Sequence, residues 1–381
     1  MDNEHRPTVA VIGGGQLARM MQESAIALGI ALRALVEAPD GSGGQAIVDA
    51  PVGDPRDLAA VLALIEGADV LTFEHEHIPA AVLEACAPLV AIEPPAAALL
   101  HAQDKLAMRE RLTAMGVPCP RWARVKTRAD LEAFGAAVGW PLVVKTPRGG
   151  YDGHGVKAVH QARDADPWLG EGPLLAEEMV PFTREVAALL ARRPSGEIRS
   201  WPVASTVQED GVCSAVTAPA VGIRPATADL ARRIGEDIAE RLGVTGVLAV
   251  EMFVVGEGDQ ERVLVNELAM RPHNTGHWTI DGAVTSQFEQ HLRAVLDLPL
   301  GATDPVRPGW SAVMVNLLGG QAPPPPDGLA RALAFEPAAR IHLYGKDWRP
   351  GRKLGHVNLV LPGDPDRAPD PREVELLRER A

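Results

Sequence analysis

The chain opens on a short apolar, β-branched run, Thr8–Ile12, that stops at Gly13-Gly14-Gly15. From Gln16 to Leu28 apolar residues recur at helical spacing, and Gly29 ends the pattern. Further apolar runs at Ala31–Val36, Val70–Phe73 and Leu89–Ile92 are separated by helix-like stretches such as Asp57–Ile65. Strands alternating with helices predict a parallel α/β layer unit over residues 1–102.

From Gln103 the pattern changes. Asp104–Met115 reads as a helix closed by Gly116, with Pro118 just beyond. Pro141–Lys145 is a short strand, and a glycine-rich stretch, Gly149–Gly155, interrupts the chain. Strands are expected at Leu174–Glu177, Glu185–Ala191 and Trp201–Val207. Asp229–Leu242 is amphipathic, with Leu230, Ile234, Ile238 and Leu242 expected on one buried face. Val247–Val255 and Arg262–Leu268 read as strands joined by the Gly- and acid-rich loop Gly256–Glu261, and Gln287–Leu296 as a helix that Pro299 ends. This segment, residues 103–303, reads as α+β. Asp304–Gly309 marks a boundary to a small unit over 304–381, with strands at Ser311–Leu318 and Ile341–Tyr344, a rigid stretch at Pro323–Pro326 and a last helix at Glu373–Arg380.

Composition narrows the class. A chain of 381 residues exceeds one typical domain, and 46% hydrophobic residues suffice for a real core. A formal charge of −13 argues against nucleic acid or an anionic membrane as partner, so any anionic substrate needs local basic clusters. The three cysteines, Cys86, Cys119 and Cys213, are widely spaced with no CxxC pair. Disulfides and zinc knuckles are therefore not expected, and a reducing, cytoplasmic compartment fits. Met1–Pro7 is polar and no apolar run reaches membrane-spanning length, so neither a signal peptide nor a membrane segment is expected.

Gly13-x-Gly15-x-x-Ala18, after a strand and opening a helix, matches the dinucleotide fingerprint, with Glu37 roughly 20 residues on. Alone it says NAD. A second nucleotide apparatus lies downstream. Lys145 ends a strand and is followed by Gly149-Gly150-Tyr151-Asp152-Gly153-His154-Gly155, too glycine-rich for helix or strand and suited to a mobile flap over phosphates. Glu177-Glu178-Met179-Val180 reads either as a solvated strand end or as a buried linker whose backbone meets adenine, with Glu185 placed for ribose hydroxyls.

If Val247–Val255 and Arg262–Leu268 form a hairpin centred on Gly258–Asp259, Glu251 lies opposite Glu267 and Phe253 opposite Val265. Two carboxylates so placed repel, and a bound Mg²⁺ reverses the sign, with Asn266 a further oxygen nearby. His273 and His277 have HxxxH spacing, but Pro272, Asn274 and Gly276 argue against the helix that zinc would need. His75 and His77 read as loop residues near a strand end, and Arg271 as a group for charge on a transferring phosphoryl. Lys346 with Arg349-Pro350-Gly351-Arg352-Lys353-Leu354-Gly355-His356 forms a basic cluster, either a solvated turn or a phosphate site.

In this order the motifs resemble the ATP-grasp superfamily and, within it, the N5-carboxyaminoimidazole ribonucleotide synthetases. The carriers are GGGQLARM (Gly13–Met20), TFEHEHI (Thr72–Ile78), GGYDGHG (Gly149–Gly155), NELAMRPHNTGHW (Asn266–Trp278) and RPGRKLGHVN (Arg349–Asn358). The resemblance implies an N-terminal Rossmann-like (pre-ATP-grasp) domain, a two-lobed ATP-grasp domain and a small C-terminal domain, assembled as a homodimer. It implies that Lys105 and Lys145 contact ATP phosphates and that Gly150 to Val156 form the flap. Glu177, Glu178, Met179 and Val180 would read adenine, and Glu185 ribose. Glu251 and Glu267 would hold Mg²⁺, with Asn266 beside the nucleotide. The ribonucleotide would be gripped by Gln16, Leu17 and Glu74 from the first unit, by Tyr151, Asp152 and Asn274 from the middle, and by Lys346, Arg352 and Lys353 from the last. Arg271, His273 and Asn274 would face a carboxyphosphate formed from bicarbonate and ATP. Two departures stand out: Gln208 where relatives often have histidine, and Lys105 where some have arginine, which loses the bidentate fork. A nicotinamide dehydrogenase, a sister ATP-grasp enzyme such as formate-dependent glycinamide ribonucleotide transformylase, biotin carboxylase and a non-catalytic sensor are the competing readings.

Overall fold

A computed structural model describes residues 6–150, 155–209 and 211–362. In chain order the first elements are β1 (Thr8–Ile12), α1 (Gln16–Leu28), β2 (Ala31–Leu35), α2 (Leu58–Ile65), β3 (Val70–Phe73), α3 (Ala80–Cys86), β4 (Ala91–Ile92) and α4 (Ala96–Gln103). The second group comprises α5 (Lys105–Ala114), β5 (Trp122–Val125), α6 (Arg128–Val138), β6 (Leu142–Lys145), β7 (Val156–Val159) and β8 (Leu174–Glu178). Then come β9 (Phe182–Arg192), β10 (Ile198–Ser200), β11 (Ala204–Glu209), β12 (Val212–Ala218), α7 (Pro225–Leu242), β13 (Gly246–Val255) and β14 (Arg262–Ala269). The last are α8 (Thr279–Gly282), α9 (Gln287–Val295), β15 (Trp310–Leu318), α10 (Gly328–Phe335), β16 (Arg340–Leu343) and β17 (Lys353–Pro362). The expected terminal helix at Glu373–Arg380 lies outside the described residues.

These strands make three sheets. The first, β2-β1-β3-β4, is parallel throughout, as the βα alternation predicts. The second, β5-β8-β6-β7, is antiparallel and closes its own apolar core under α6. The third is a nine-stranded antiparallel sheet in the order β14-β13-β9-β11-β12-β15-β17-β16, with β10 added against β9. Chain distant in sequence meets here: β12 pairs with β15, so the predicted boundary at 304–309 interrupts no sheet. The Arg349–His356 segment is a turn only in its first half, because Lys353 begins β17, which pairs with both β15 and β16.

Local chemistry sets the ends of the helices that carry functional groups. Asp104 caps α5 by accepting from the Leu106 and Ala107 N–H groups, both at 3.0 Å. Leu17 and Met21 of α1 share a core cluster with Phe288 and Leu292 of α9, which docks the parallel unit on the large sheet. A buried polar pin joins the same two bodies. The Val247 N–H donates to His291 Nδ1 (3.1 Å), so the ring proton sits on Nε2 and donates to Thr72 Oγ1 (2.9 Å).

Helix α7 differs from its expected face. Ile234 and Ile238 are buried, but Leu230 is 37% exposed, and the stripe runs instead through Thr227, Ala231 and Gly235. Small residues win there because the helix lies close on β9: a Cβ at Gly235 would sit 2.9 Å from Leu190 Cδ2. Strand β4 is also shorter than the Leu89–Ile92 run, since Leu89 is 65% exposed before pairing begins. Ile238→Ala should therefore destabilise by roughly 2–5 kcal/mol, and Leu230→Ala by under about 1 kcal/mol. Chemical denaturation of the two variants checks the contrast, and equal losses would restore the helix face read from the sequence.

Candidate active site

The two antiparallel sheets and the parallel unit border a cleft of about 1300 Å³. Glu251 on β13 does lie across from Glu267 on β14. The register then shifts: Met252 faces Val265 and Phe253 faces Leu264, not Val265 as a regular hairpin would have it. Asn266 is the extra residue, a β-bulge that breaks side-chain alternation. Adjacent side chains consequently serve one cleft. Asn266 Oδ1 accepts from Lys145 Nζ at 3.1 Å, and Glu267 Oε1 holds Lys105 Nζ at 2.8 Å.

A buried ion network lies behind this row. Glu177, 2% exposed, takes Lys145 Nζ on Oε2 at 2.6 Å and Arg109 Nε on Oε1. Burial alone would raise the Glu177 carboxyl; Lys145 and Arg109 override it and hold it below the usual range. Glu177, Glu178, Met179 and Val180 all border the cleft, yet neither acid offers its carboxylate freely. Glu178 is engaged by the Arg121 backbone N–H (2.8 Å) and guanidinium (2.6 Å). Met179 stays 42% exposed. Glu185 and Gln208 also line the cleft, and burial raises the Glu185 carboxyl.

The two facing acids are held unequally. Burial, then Glu267 and Glu185, push Glu251 up to about 8. Lys105 and Lys145 instead hold Glu267 low against the effect of its burial. Among the described residues no group of three or more His, Cys, Asp or Glu side chains is arranged to hold a metal alone. Asn274–Gly276 is a 3-10 turn, and His277 Nδ1 is engaged by Gln287 at 2.9 Å, so the HxxxH spacing builds no zinc site. A repelling carboxylate pair facing an open cleft does fit Mg²⁺, which takes one or two carboxylates and completes its shell with phosphate oxygens and water.

The glycine turn serves a different corner. Glu74 Oε1 accepts from the Gly15 N–H (2.5 Å) and Oε2 from the Ala18 N–H (2.8 Å), so the start of α1 already holds a carboxylate. A Cβ at Gly15 would lie 2.3 Å from Glu74 Oε1; the missing side chain makes room for Glu74. The N–H groups that a dinucleotide pyrophosphate would need are thus taken by the protein's own carboxylate, which counts against the dehydrogenase reading. A side cavity of about 580 Å³ joins the turn to Lys346, Arg349 and Arg352. Lys346 Nζ donates to Gln16 Oε1 at 2.5 Å, uniting residues 330 positions apart, and the Arg352 guanidinium holds Asp347 O at 3.0 Å. Leu17 is buried at the cleft wall, with Lys353 also lining the cleft. Arg271 pairs with Glu76 at 2.9 Å, beside His273 and Asn274 on the cleft wall. His75 and His77 stack in the loop after β3.

Thr146 N–H donates to Gly155 O at 2.9 Å, closing the base of the glycine-rich loop, and Gly150 and Val156 border the cleft. Tyr151, Asp152, Gly153 and His154 lie outside the described residues. Three participants went unnoticed in the sequence: Arg109, Glu76 and Gln287. Arg109 left a signal, four residues after Lys105 and thus on the same helix face, and Glu76 lies within the TFEHEHI motif.

Two antiparallel sheets around a lysine- and acid-lined cleft make this an ATP-grasp enzyme, and residues 110–288 match the description ATP-grasp domain. Residues 7–103 match the ribonucleotide synthetase preATP-grasp domain, and residues 312–366 the phosphoribosylaminoimidazole carboxylase C-terminal domain. An N5-carboxyaminoimidazole ribonucleotide synthase of Mycobacterium tuberculosis is 51% identical over 363 residues, 93% of this chain and 83% of the relative. The synthase of Corynebacterium ammoniagenes is 46% identical over 93% of this chain and 87% of its own length. The crystal structure of N5-carboxyaminoimidazole ribonucleotide synthetase from Thermus thermophilus superposes with a TM-score of 0.86 at 38% identity, covering 98% of this chain and 97% of the other. The Aspergillus clavatus enzyme in complex with ADP and 5-aminoimidazole ribonucleotide gives 0.85 at 32% identity, with 99% of each chain covered. The chain belongs to the N5-carboxyaminoimidazole ribonucleotide synthase family and is an ATP-dependent ligase.

Glu251→Gln tests the carboxylate pair. The folded protein keeps a proton on Glu251 that the unfolded chain releases near 4.5, so this group's contribution to stability falls as pH rises from 4.5 to about 8. In chelator-treated buffer at pH 8.5 the variant should melt no lower than the parent, while its ATP turnover with Mg²⁺ drops by orders of magnitude. Near-parental turnover at saturating Mg²⁺ would remove Glu251 from the metal site.

Proposed function

We infer that this cleft carboxylates 5-aminoimidazole ribonucleotide with bicarbonate, converting ATP to ADP and phosphate and yielding N5-carboxyaminoimidazole ribonucleotide for de novo purine biosynthesis. One observation carries the reading: the facing carboxylates stand between two cationic groups. Lys105 and Lys145 act on Glu267, and Lys353 and Arg271 act on Glu251. A nucleotide triphosphate suits the first group and a phosphorylated amine the second.

The chain's groups then divide the work. The 177–180 segment and Glu185 receive adenosine. Lys105 and Lys145 hold the phosphate oxygens and offset charge as a bicarbonate oxygen attacks the γ-phosphorus and the bond to ADP breaks. Glu251 and Glu267, with Asn266 beside them, would hold Mg²⁺, which supplies Lewis-acid neutralisation of the phosphates when bound. Carboxyphosphate results. The exocyclic amine then bonds to its carboxyl carbon, directly or after CO₂ is released, phosphate departs and the amine loses a proton. Arg271, His273 and Asn274 face the reacting carboxyl. Burial and the charges of Arg271 and Lys353 keep His273 neutral. Its Nδ1 is engaged by Thr275, through Oγ1 at 2.9 Å and the backbone N–H at 3.4 Å, which fixes the ring against the cleft wall. Lys346, Arg352 and Lys353 take the ribonucleotide phosphate with Gln16 and Asn274, and Glu74 fixes the glycine turn beside Leu17. Gly150 and Val156, which flank the glycine-rich loop, border the nucleotide side of this cleft. A cytoplasmic homodimer goes with this reading. Three free cysteines, two of them buried, suit a reducing compartment, and among the described residues no helix is long and apolar enough to cross a membrane.

ADP release with bicarbonate, measured with and without aminoimidazole ribonucleotide, tests the reaction. Release should require the ribonucleotide and bicarbonate together; stimulation by another phosphorylated amine alone would overturn the substrate. Arg352→Ala tests the division of the site. It removes a charge-assisted contact worth roughly 1.5–3 kcal/mol, or about one to two decades in ribonucleotide affinity. ATP affinity should barely move, and equal weakening of both would place Arg352 in the nucleotide site.

A further inference from the structure

Arg109 has no exposed surface and so cannot touch a ligand in the cleft. Its guanidinium nevertheless meets two groups that both hold Lys145. Nε pairs with Glu177 Oε1, whose other oxygen holds Lys145 Nζ at 2.6 Å. Nη2 donates to Asn266 O at 2.7 Å, and the Asn266 side chain accepts from the same Nζ at 3.1 Å. We propose that Arg109 is a positioning residue for the nucleotide phosphates, acting through Lys145: it neutralises Glu177 so that the lysine's charge remains available, and it clamps the bulge that aims Asn266. The proposal rests on the reading of Lys145 as a phosphate ligand.

The reasoning is electrostatic. Without Arg109, a buried carboxylate would have Lys145 as its one close cation, and phosphate would compete with a desolvated ion pair. Three cations, Arg109, Lys105 and Lys145, face two carboxylates, Glu177 and Glu267, in this network. The surplus positive charge disappears with Arg109. Because the cluster is buried, salt screens it little. Arginine also spans both acceptors at once, which a lysine ammonium on the same stem does not.

The test is calorimetric titration of the full-length protein with ADP at fixed Mg²⁺, and separately with aminoimidazole ribonucleotide. Arg109→Met should weaken ADP binding about ten- to a hundredfold and ribonucleotide binding by less than about twofold. Arg109→Lys, which keeps the charge but not the span to both acceptors, should recover part of the loss and bind ADP about three- to tenfold more weakly than the parent. If Arg109→Met does not fold, Arg109→Lys carries the test, since it keeps a cation beside Glu177. Parental ADP affinity in Arg109→Met, parental ADP affinity in Arg109→Lys, or equal losses for both ligands each overturn the proposal. Lys145→Met separates it from the reading beneath it. If that variant binds ADP like the parent, the phosphate-lysine reading falls with the proposal; if it binds weakly while Arg109→Met does not, the proposal falls alone.

Discussion

Glu177 is a carboxylate with almost no access to water, held between Arg109 from α5 and Lys145 from β6. Taking a charge out of water costs several kcal/mol unless partners replace its hydration. Here two cations do so, and each is tied to a different body: Lys145 to the small antiparallel sheet, Arg109 to the backbone of Asn266 in the large one. The network therefore sets the relative placement of the sheets where the cleft needs it. Lys145 cannot shift without exposing Glu177, and Glu177 cannot shift without unpairing Arg109.

The large sheet extends that placement across the molecule. Strand β9 lies between β13 and β11, and β12 leads on to β15 and β17. The carboxylate pair at one end and Lys353 near the other are thus held by one hydrogen-bonded ladder. The parallel unit docks on this ladder through the α1–α9 core and the Thr72–His291–Val247 pin. Docking brings Gln16 to Lys346, and Arg271 to Glu76.

Within the cleft, preorganisation takes the form of unequal treatment of similar groups. Glu267 has Lys105 beside it and stays ionised, while Glu251 is pushed up to about 8 by burial and by its acidic neighbours. His273, deep among Arg271 and Lys353, stays neutral. Such divergence is what a site that binds polyanions and handles a labile acyl phosphate requires. Glu74 shows the reverse economy: a fingerprint that reads as an anion site is filled by the protein's own carboxylate.

Periodicity and glycine placement were enough to locate most elements. Helix α1 has the predicted bounds, and the α5 cap is the Asp104 that opens the pattern, because helix ends depend on local hydrogen bonding that neighbours supply. The hairpin, and with it the Glu251–Glu267 pair, was legible from two apolar strands around a glycine-containing loop, although the register near the turn is one residue off, Phe253 with Leu264, and the pair is reached through a bulge. The bulge at Asn266 was not, because nothing within β14 demands it; it is set by Lys145 and Arg109, which arrive from other elements. Leu230 likewise looked buried until the close approach of α7 to β9 chose smaller residues. Strand β17 hid inside a basic, glycine-containing stretch, since its pairing partners lie up to 52 residues away by register, Trp310 with Pro362. Local hydrogen bonding and side-chain period are written in the chain and decided the elements and the ligand-bearing motifs. Which buried charges meet, and which face each element buries, depends on desolvation by distant segments, and only the tertiary structure decided it.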